Sequence, residues 1–170
     1  MSFNGNRKFV TAILCSVILS ITMVDSVLAD AYIQTWDLVD SGKHLDYDGN
    51  SKYMSYANTG ASIWNGYKSG VIRRDSVLVI QDVYISDINK ANGNTGVTYS
   101  NGKIELNKYY LENCTDDQIT NTVTHELGHA LGLDHGPLSS DIMYSSQTNV
   151  KTLSQNDKDS YDAAYNNYWW

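Results

Sequence analysis

Apolar residues recur along this chain with two different periods, and the switches between them mark out strands and helices. Residues 32–39 (Tyr-Ile-Gln-Thr-Trp-Asp-Leu-Val) predict an opening strand, closed by an Asp40-Ser41-Gly42 turn. Asp46-Tyr47-Asp48-Gly49-Asn50 has the composition of a loop. Tyr53, Tyr56, Ala57, Ile63, Trp64 and Tyr67 then fall at helical spacings, which predicts a helix over 51–67 with one apolar face, weakened by Gly60. The β-branched run over 76–86 predicts a central strand. After a turn cluster at 92–96, two short strands at 97–99 and 103–107 are joined by Ser100-Asn101-Gly102, a hairpin signal.

Two further helices carry local start and stop signals. Thr115 with Gln118 three residues on forms a capping box, and Asp116 and Asp117 sit where the helix dipole favours acid. Ile119, Val123, Leu127 and Ala130 give that helix its buried face, and Gly132 supplies the left-handed residue that ends it. Ser154 opens a last helix whose inward stripe is Tyr161, Ala164, Tyr165 and Tyr168. A strand, a helix, a strand, a hairpin and helices make an α+β fold, a twisted sheet with helices packed on it.

The N-terminus follows a different logic. Arg7 and Lys8 precede an apolar run from Phe9 to Val24, and Val27-Leu28-Ala29 offers small or aliphatic residues where a signal peptidase reads. The run is about 16 residues, short of the ~20 that a spanning helix needs. Residues 1–29 are therefore expected to be a secretory signal, cleaved after Ala29 or, second, after Ala31, and residues 30–170 a single secreted domain without stable membrane association. Loss of Arg7, Lys8 and Asp25 takes the formal charge from −7 to −8. There is no basic footprint for nucleic acid. Cys15 leaves with the signal, so Cys114 stands alone as a half-buried thiol and no disulfide framework exists.

The chemistry is concentrated at 125–135, His-Glu-Leu-Gly-His-Ala-Leu-Gly-Leu-Asp-His, which holds three of the chain's four histidines. His125 and His129, four apart on a helix, put their imidazoles on one face about 6 Å apart. Gly132 turns the chain so that His135 can return as a third ligand. Three protein ligands leave one position open, the mark of a catalytic zinc site. Glu126 is offset from the ligand face yet near enough to activate water as the general base. Cys114 lies about 16 Å of helix rise from His125 and is rejected as a ligand.

His-Glu-x-x-His-x-x-Gly-x-x-His followed by Ile142-Met143-Tyr144 resembles the metzincin zinc endopeptidases, and Leu153-Ser154 at the last helix resembles the matrixin-like branch with its small bacterial members. The resemblance is specific over about 115–165. It implies a metzincin-like zincin domain: a twisted, mostly parallel sheet with an antiparallel edge strand, an active-site helix and a C-terminal helix. It further implies Met143 as an apolar floor under the metal, substrate pairing along the strand around 97–106, and a pocket shaped by the chain between His135 and Met143. Ser145 stands where some metzincins place a tyrosine ligand, so none is expected. With only His44 outside the motif, neither is a second, histidine-built zinc.

The expected function is a secreted zinc metalloendopeptidase that is monomeric and acts on protein or peptide substrates. The alternative is a non-catalytic, zinc-containing extracellular binding module on the same fold, against which an intact Glu126 speaks. Lesser features have plainer readings. Asp82, Asp87, Asn89, Asn92 and Asn94 could surround a structural Ca²⁺, although polar turn residues explain them as well. Asp134 could orient His135, His44 is a solvated loop residue, and Trp169-Trp170 is expected to pack on the sheet.

Overall fold

A computed structural model describes residues 30–76 and 80–168; the expected signal segment, residues 77–79 and Trp169-Trp170 lie outside the described residues. Five strands, β1 (Leu45–Gly49), β2 (Ile72–Arg74), β3 (Val83–Ile88), β4 (Gly96–Tyr99) and β5 (Lys103–Asn107), form one sheet in the order β2-β1-β3-β5-β4. All neighbours run parallel except β4, which is antiparallel to β5 with Thr98 opposite Ile104 and Gly96 opposite Leu106. This is the α+β sheet with one antiparallel edge that the sequence resemblance implies.

The first strand is a correction. Asp46-Tyr47-Asp48-Gly49, with the composition of a loop, is β1, paired on both sides by β2 and β3. Leu45 and Tyr47 are buried, and the Asp46 carboxylate is held by Arg73 through Nε at 2.9 Å and a terminal guanidinium nitrogen at 2.7 Å. Pairing partners and a bidentate arginine override the turn preference of the residues. The expected central strand also moves: β3 starts at Val83 and runs to Ile88, while Ile80 is exposed. Residues 32–39 are no strand either. They make a single bridge, Ile33 to Leu133, and otherwise form a strap across the end of the third helix.

Helix α1 (Met54–Asn65) lies within the expected 51–67 and turns the expected face inward: Tyr53, Ala57 and Trp64 are buried and Tyr56 and Ile63 pack against the core, while Tyr67 alone of that face is exposed and Gly60 and Ala61 join the buried side. Gly60 is there for proximity, since a Cβ on it would stand 2.9 Å from Thr124 Oγ1 and 3.1 Å from Thr124 Cα. After the short α2 (Lys108–Leu111), helix α3 (Asp116–Ala130) packs along α1, and the Trp64 indole N–H donates to Thr124 O at 2.9 Å. Ile119, Val123, Leu127 and Ala130 are all buried, as their spacing predicts. Helix α4 (Gln155–Asn167) is capped by Ser154 and buries Tyr161 and Ala164, with Tyr168 just beyond its end. Among the described residues no helix is long and apolar enough to cross a membrane.

Candidate metal centre

Helix α3 begins with the capping box expected of it: Gln118 N–H donates to Thr115 Oγ1 and Thr115 N–H to Gln118 Oε1. It ends in a complete Schellman motif. Gly132, at φ +87°, follows the cap residue Leu131; its N–H reaches His129 O at 2.9 Å, and Leu133 N–H reaches Gly128 O at 3.0 Å. That turn reverses the chain and brings His135 back over the helix. The three imidazoles meet, with ring centroids 4.6, 4.9 and 5.2 Å apart and nitrogen atoms all within 4.8 Å of one another.

Two of the rings are oriented by backbone carbonyls. His125 Nδ1 lies 2.9 Å from Ile142 O and His129 Nδ1 lies 2.8 Å from Leu133 O. A carbonyl can only accept, so Nδ1 carries the proton and Nε2 offers its lone pair towards the other rings. Burial, then the neighbouring His129, pushes the His125 pKa down to about 3, and burial also lowers that of His129. Both rings are thus neutral at ordinary pH, the form that binds a metal. The donor set fits a single zinc ion at Zn–N distances of ~2.0–2.1 Å.

Met143 is buried, with its sulfur beside Gly128 of α3. The fit is close: a Cβ on Gly128, between the two helical histidines, would lie 2.3 Å from Met143 Sδ and 2.9 Å from Trp64 Cζ2. The turn that carries Met143 is fastened by Asp157 of α4. Its carboxylate accepts from the N–H groups of Ile142 at 2.9 Å, Met143 at 3.1 Å and Ser154 at 2.9 Å, and the residue is 1% exposed.

Glu126 is 5% exposed, and burial pushes its pKa up to about 7 against the opposing pull of Thr98. The Thr98 hydroxyl on β4 is 2.7 Å from Glu126 Oε2 and 2.9 Å from Glu126 O. Gly96, two residues earlier on the same strand, leaves room for the carboxylate, because a Cβ there would stand 2.7 Å from Oε1. These groups open into a cleft of about 550 Å³, lined by residues of α3, by Gly96–Thr98 of β4 and by Tyr144–Gln147.

Other sequence candidates go elsewhere. Asp134 Oδ1 accepts from the backbone N–H of His135 at 2.8 Å and so holds the main chain of the turn. The polar groups considered for calcium have protein partners, in keeping with the plainer turn reading: Asp82 accepts from Asp46 N–H, Asp87 from Ser51 and Lys52, and Asn92 Oδ1 and Asn94 O from the Asn107 amide, while Asn89 is exposed. A cluster the sequence did not suggest, Asp40, Asp46 and Asp82, brings its carboxylates together beside Arg73, whose cation answers their charge. His44 stands 3.7 Å from Asp40, and Cys114 is half-buried, facing Gln147 and Tyr110 O. The sequence does not single out Thr98, Gly96 or Asp157 as site residues; the one local hint is a threonine on the expected edge strand.

The family model for matrixin peptidases matches residues 20–166. No curated protein matches the chain. Among solved structures it is similar to archaemetzincin from Methanopyrus kandleri, at 13% identity and a TM-score of 0.56, over 75% of this chain and 99% of that one, a likeness of fold. With a family match of that length and a metzincin fold, the chain belongs to the matrixin family of zinc metallopeptidases.

Proposed function

We propose that the protein is a secreted zinc endopeptidase in which His125, His129 and His135 hold the ion, Met143 floors the site and Glu126 is the general base. The observation that carries this reading is a buried carboxylate, held by Thr98, beside three converging imidazoles at the bottom of an open cleft. A zinc ion held there supplies Lewis acidity towards a carbonyl oxygen and towards water. Glu126 takes a proton from the attacking water at its carboxylate and passes it to the leaving nitrogen. A pKa of about 7 suits a group that must do both near neutrality.

The edge position of β4 supports the substrate-binding mode. Gly96, Val97 and Thr98 line the cleft, while among the described residues their strand pairs only with β5. An extended polypeptide would join the sheet there through its main chain. Secretion rests on residues 1–29, with a domain of residues 30–170 released after Ala29 and acting as a monomer. The binding-module alternative gives no reason for burying Glu126 or for keeping residue 96 bare beside it.

The test uses the purified secreted form, with bound zinc counted and a generic protein substrate assayed for wild type and Glu126→Ala. About one zinc per chain is expected for both, with a loss of ~10²-fold or more in rate for the variant. Equal turnover by the two proteins sinks the assignment of the base.

A further inference from the structure

We infer that Gln34, on the strap before β1, is a positioning residue for the metal site: its side-chain amide holds the His129 ring and thereby sets zinc affinity. The inference rests on the proposed triad and goes beyond it, because it brings a residue 95 positions away in sequence into contact with one of the ligands.

The strap is seated by its main chain on the turn that joins His129 to His135. Gln34 N–H donates to Gly132 O at 2.7 Å, Asp134 N–H donates to Tyr32 O at 2.9 Å, and Leu38 N–H donates to Ala130 O at 2.9 Å. Tyr32 N–H is in turn tied to Ser160 Oγ of α4 at 2.9 Å. These bonds leave little freedom in where residue 34 places its side chain. They put its amide nitrogen 2.9 Å from His129 Nδ1, at the rim of the cleft.

Two observations make the contact more than packing. His129 Nδ1 has a second neighbour, Leu133 O at 2.8 Å, which can only accept. With Nε2 turned to a metal, Nδ1 carries the proton, and the end of the Gln34 amide that complements it is the oxygen. That oxygen, Oε1, is buried without a hydrogen-bond partner. Rotation of the terminal amide by half a turn, a change that leaves its shape almost unaltered, gives Oε1 the Nδ1–H as donor. The single Nδ1–H is then shared between two acceptors in a three-centre bond, and both favour the metal-binding tautomer. Partners of this kind typically govern metal affinity by about 10–100-fold. His125, by contrast, has Ile142 O alone at its Nδ1 among the described residues.

The experiment measures the zinc dissociation constant by competition with a chromophoric chelator, for wild type, Gln34→Met and Gln34→Glu. Methionine keeps the length and packing of the side chain but offers no comparable acceptor; glutamate keeps the acceptor. The expected result is a roughly tenfold weaker constant for Gln34→Met and a value within about threefold of wild type, or tighter, for Gln34→Glu. Thermal unfolding of the three metal-free proteins reports whether packing has changed, and Gln34→Ala replaces Gln34→Met should the latter fail to fold. Equal affinity in wild type and Gln34→Met overturns the inference, as does a glutamate variant no better than the methionine one. A wild type that takes up no zinc fails differently, because it removes the metal site itself.

Discussion

The turn at 131–135 and the turn at 141–144 each present one backbone carbonyl to a histidine ring, Leu133 O to His129 and Ile142 O to His125. They are anchored differently. The first is held mostly by neutral contacts, the strap's main-chain bonds, the left-handed Gly132 and the Tyr168 hydroxyl donating to Leu131 O at 2.8 Å, with one exposed carboxylate, Asp134, accepting from His135 N–H. The second rests chiefly on the buried Asp157 carboxylate, which accepts three N–H groups, with the buried Asp141 carboxylate of the turn itself accepting from Leu138 N–H and the Asn156 amide. Gly136 N–H to Met143 O at 2.8 Å ties the two turns together. A hydrogen bond to a charged group is worth roughly 1.5–3 kcal/mol against about 1 for a neutral one. The anchoring of the second turn is therefore weighted towards two buried carboxylates, with Asp157 bearing its apex, and that of the first is spread over several main-chain contacts.

This difference predicts unequal fragility. Asp157→Ala removes the only acceptor for Ile142 and Met143 N–H among the described residues and leaves both inside the core. We expect it to destabilise by about 3–5 kcal/mol and to lower the thermal midpoint by on the order of 10 °C or more. A midpoint within a few degrees of wild type would mean that the methionine turn is held by something other than Asp157. Gly132→Ala should cost less, about 1–2 kcal/mol, for forcing an L-residue to positive φ with its Cβ 3.1 Å from Asp37 Cβ. Urea denaturation would measure it, and a loss as large as that of Asp157→Ala would erase the contrast. Smallest of the three, Tyr168→Phe removes one neutral bond to Leu131 O and should cost about 1 kcal/mol. A drop of several kcal/mol there would show that the first turn hangs on a single contact.

The same contrast explains what could be read in advance. Helix α3 was legible because its cap, its apolar period and its terminating glycine all act within a few residues, and the histidine spacing needs only helix geometry to be interpreted. Strand β1 was not, since its residues favour turns and become a strand only through β2, β3 and Arg73. The strap residues 32–39 have the alternation of a strand, yet their partner is a helix end, which offers one bridge and no edge. Thr98 and Gln34 reach the site across 28 and 95 residues, and no local pattern encodes such distances. Asp157 was hidden another way: at the third position of α4 it looks like an ordinary capping acid, and it is one, but the same carboxylate also reaches back to the methionine turn.

Gly96 sets a limit on how this cleft can be redesigned. A single methyl group at that position would collide with the carboxylate of Glu126, so the wall cannot be thickened there without displacing the proposed base. Two positions on, Thr98 is committed to the same carboxylate. Attempts to retune what the edge strand accepts are thus steered towards Val97, which lines the cleft, and Tyr99, which is exposed, and away from the alternate positions between which Val97 lies.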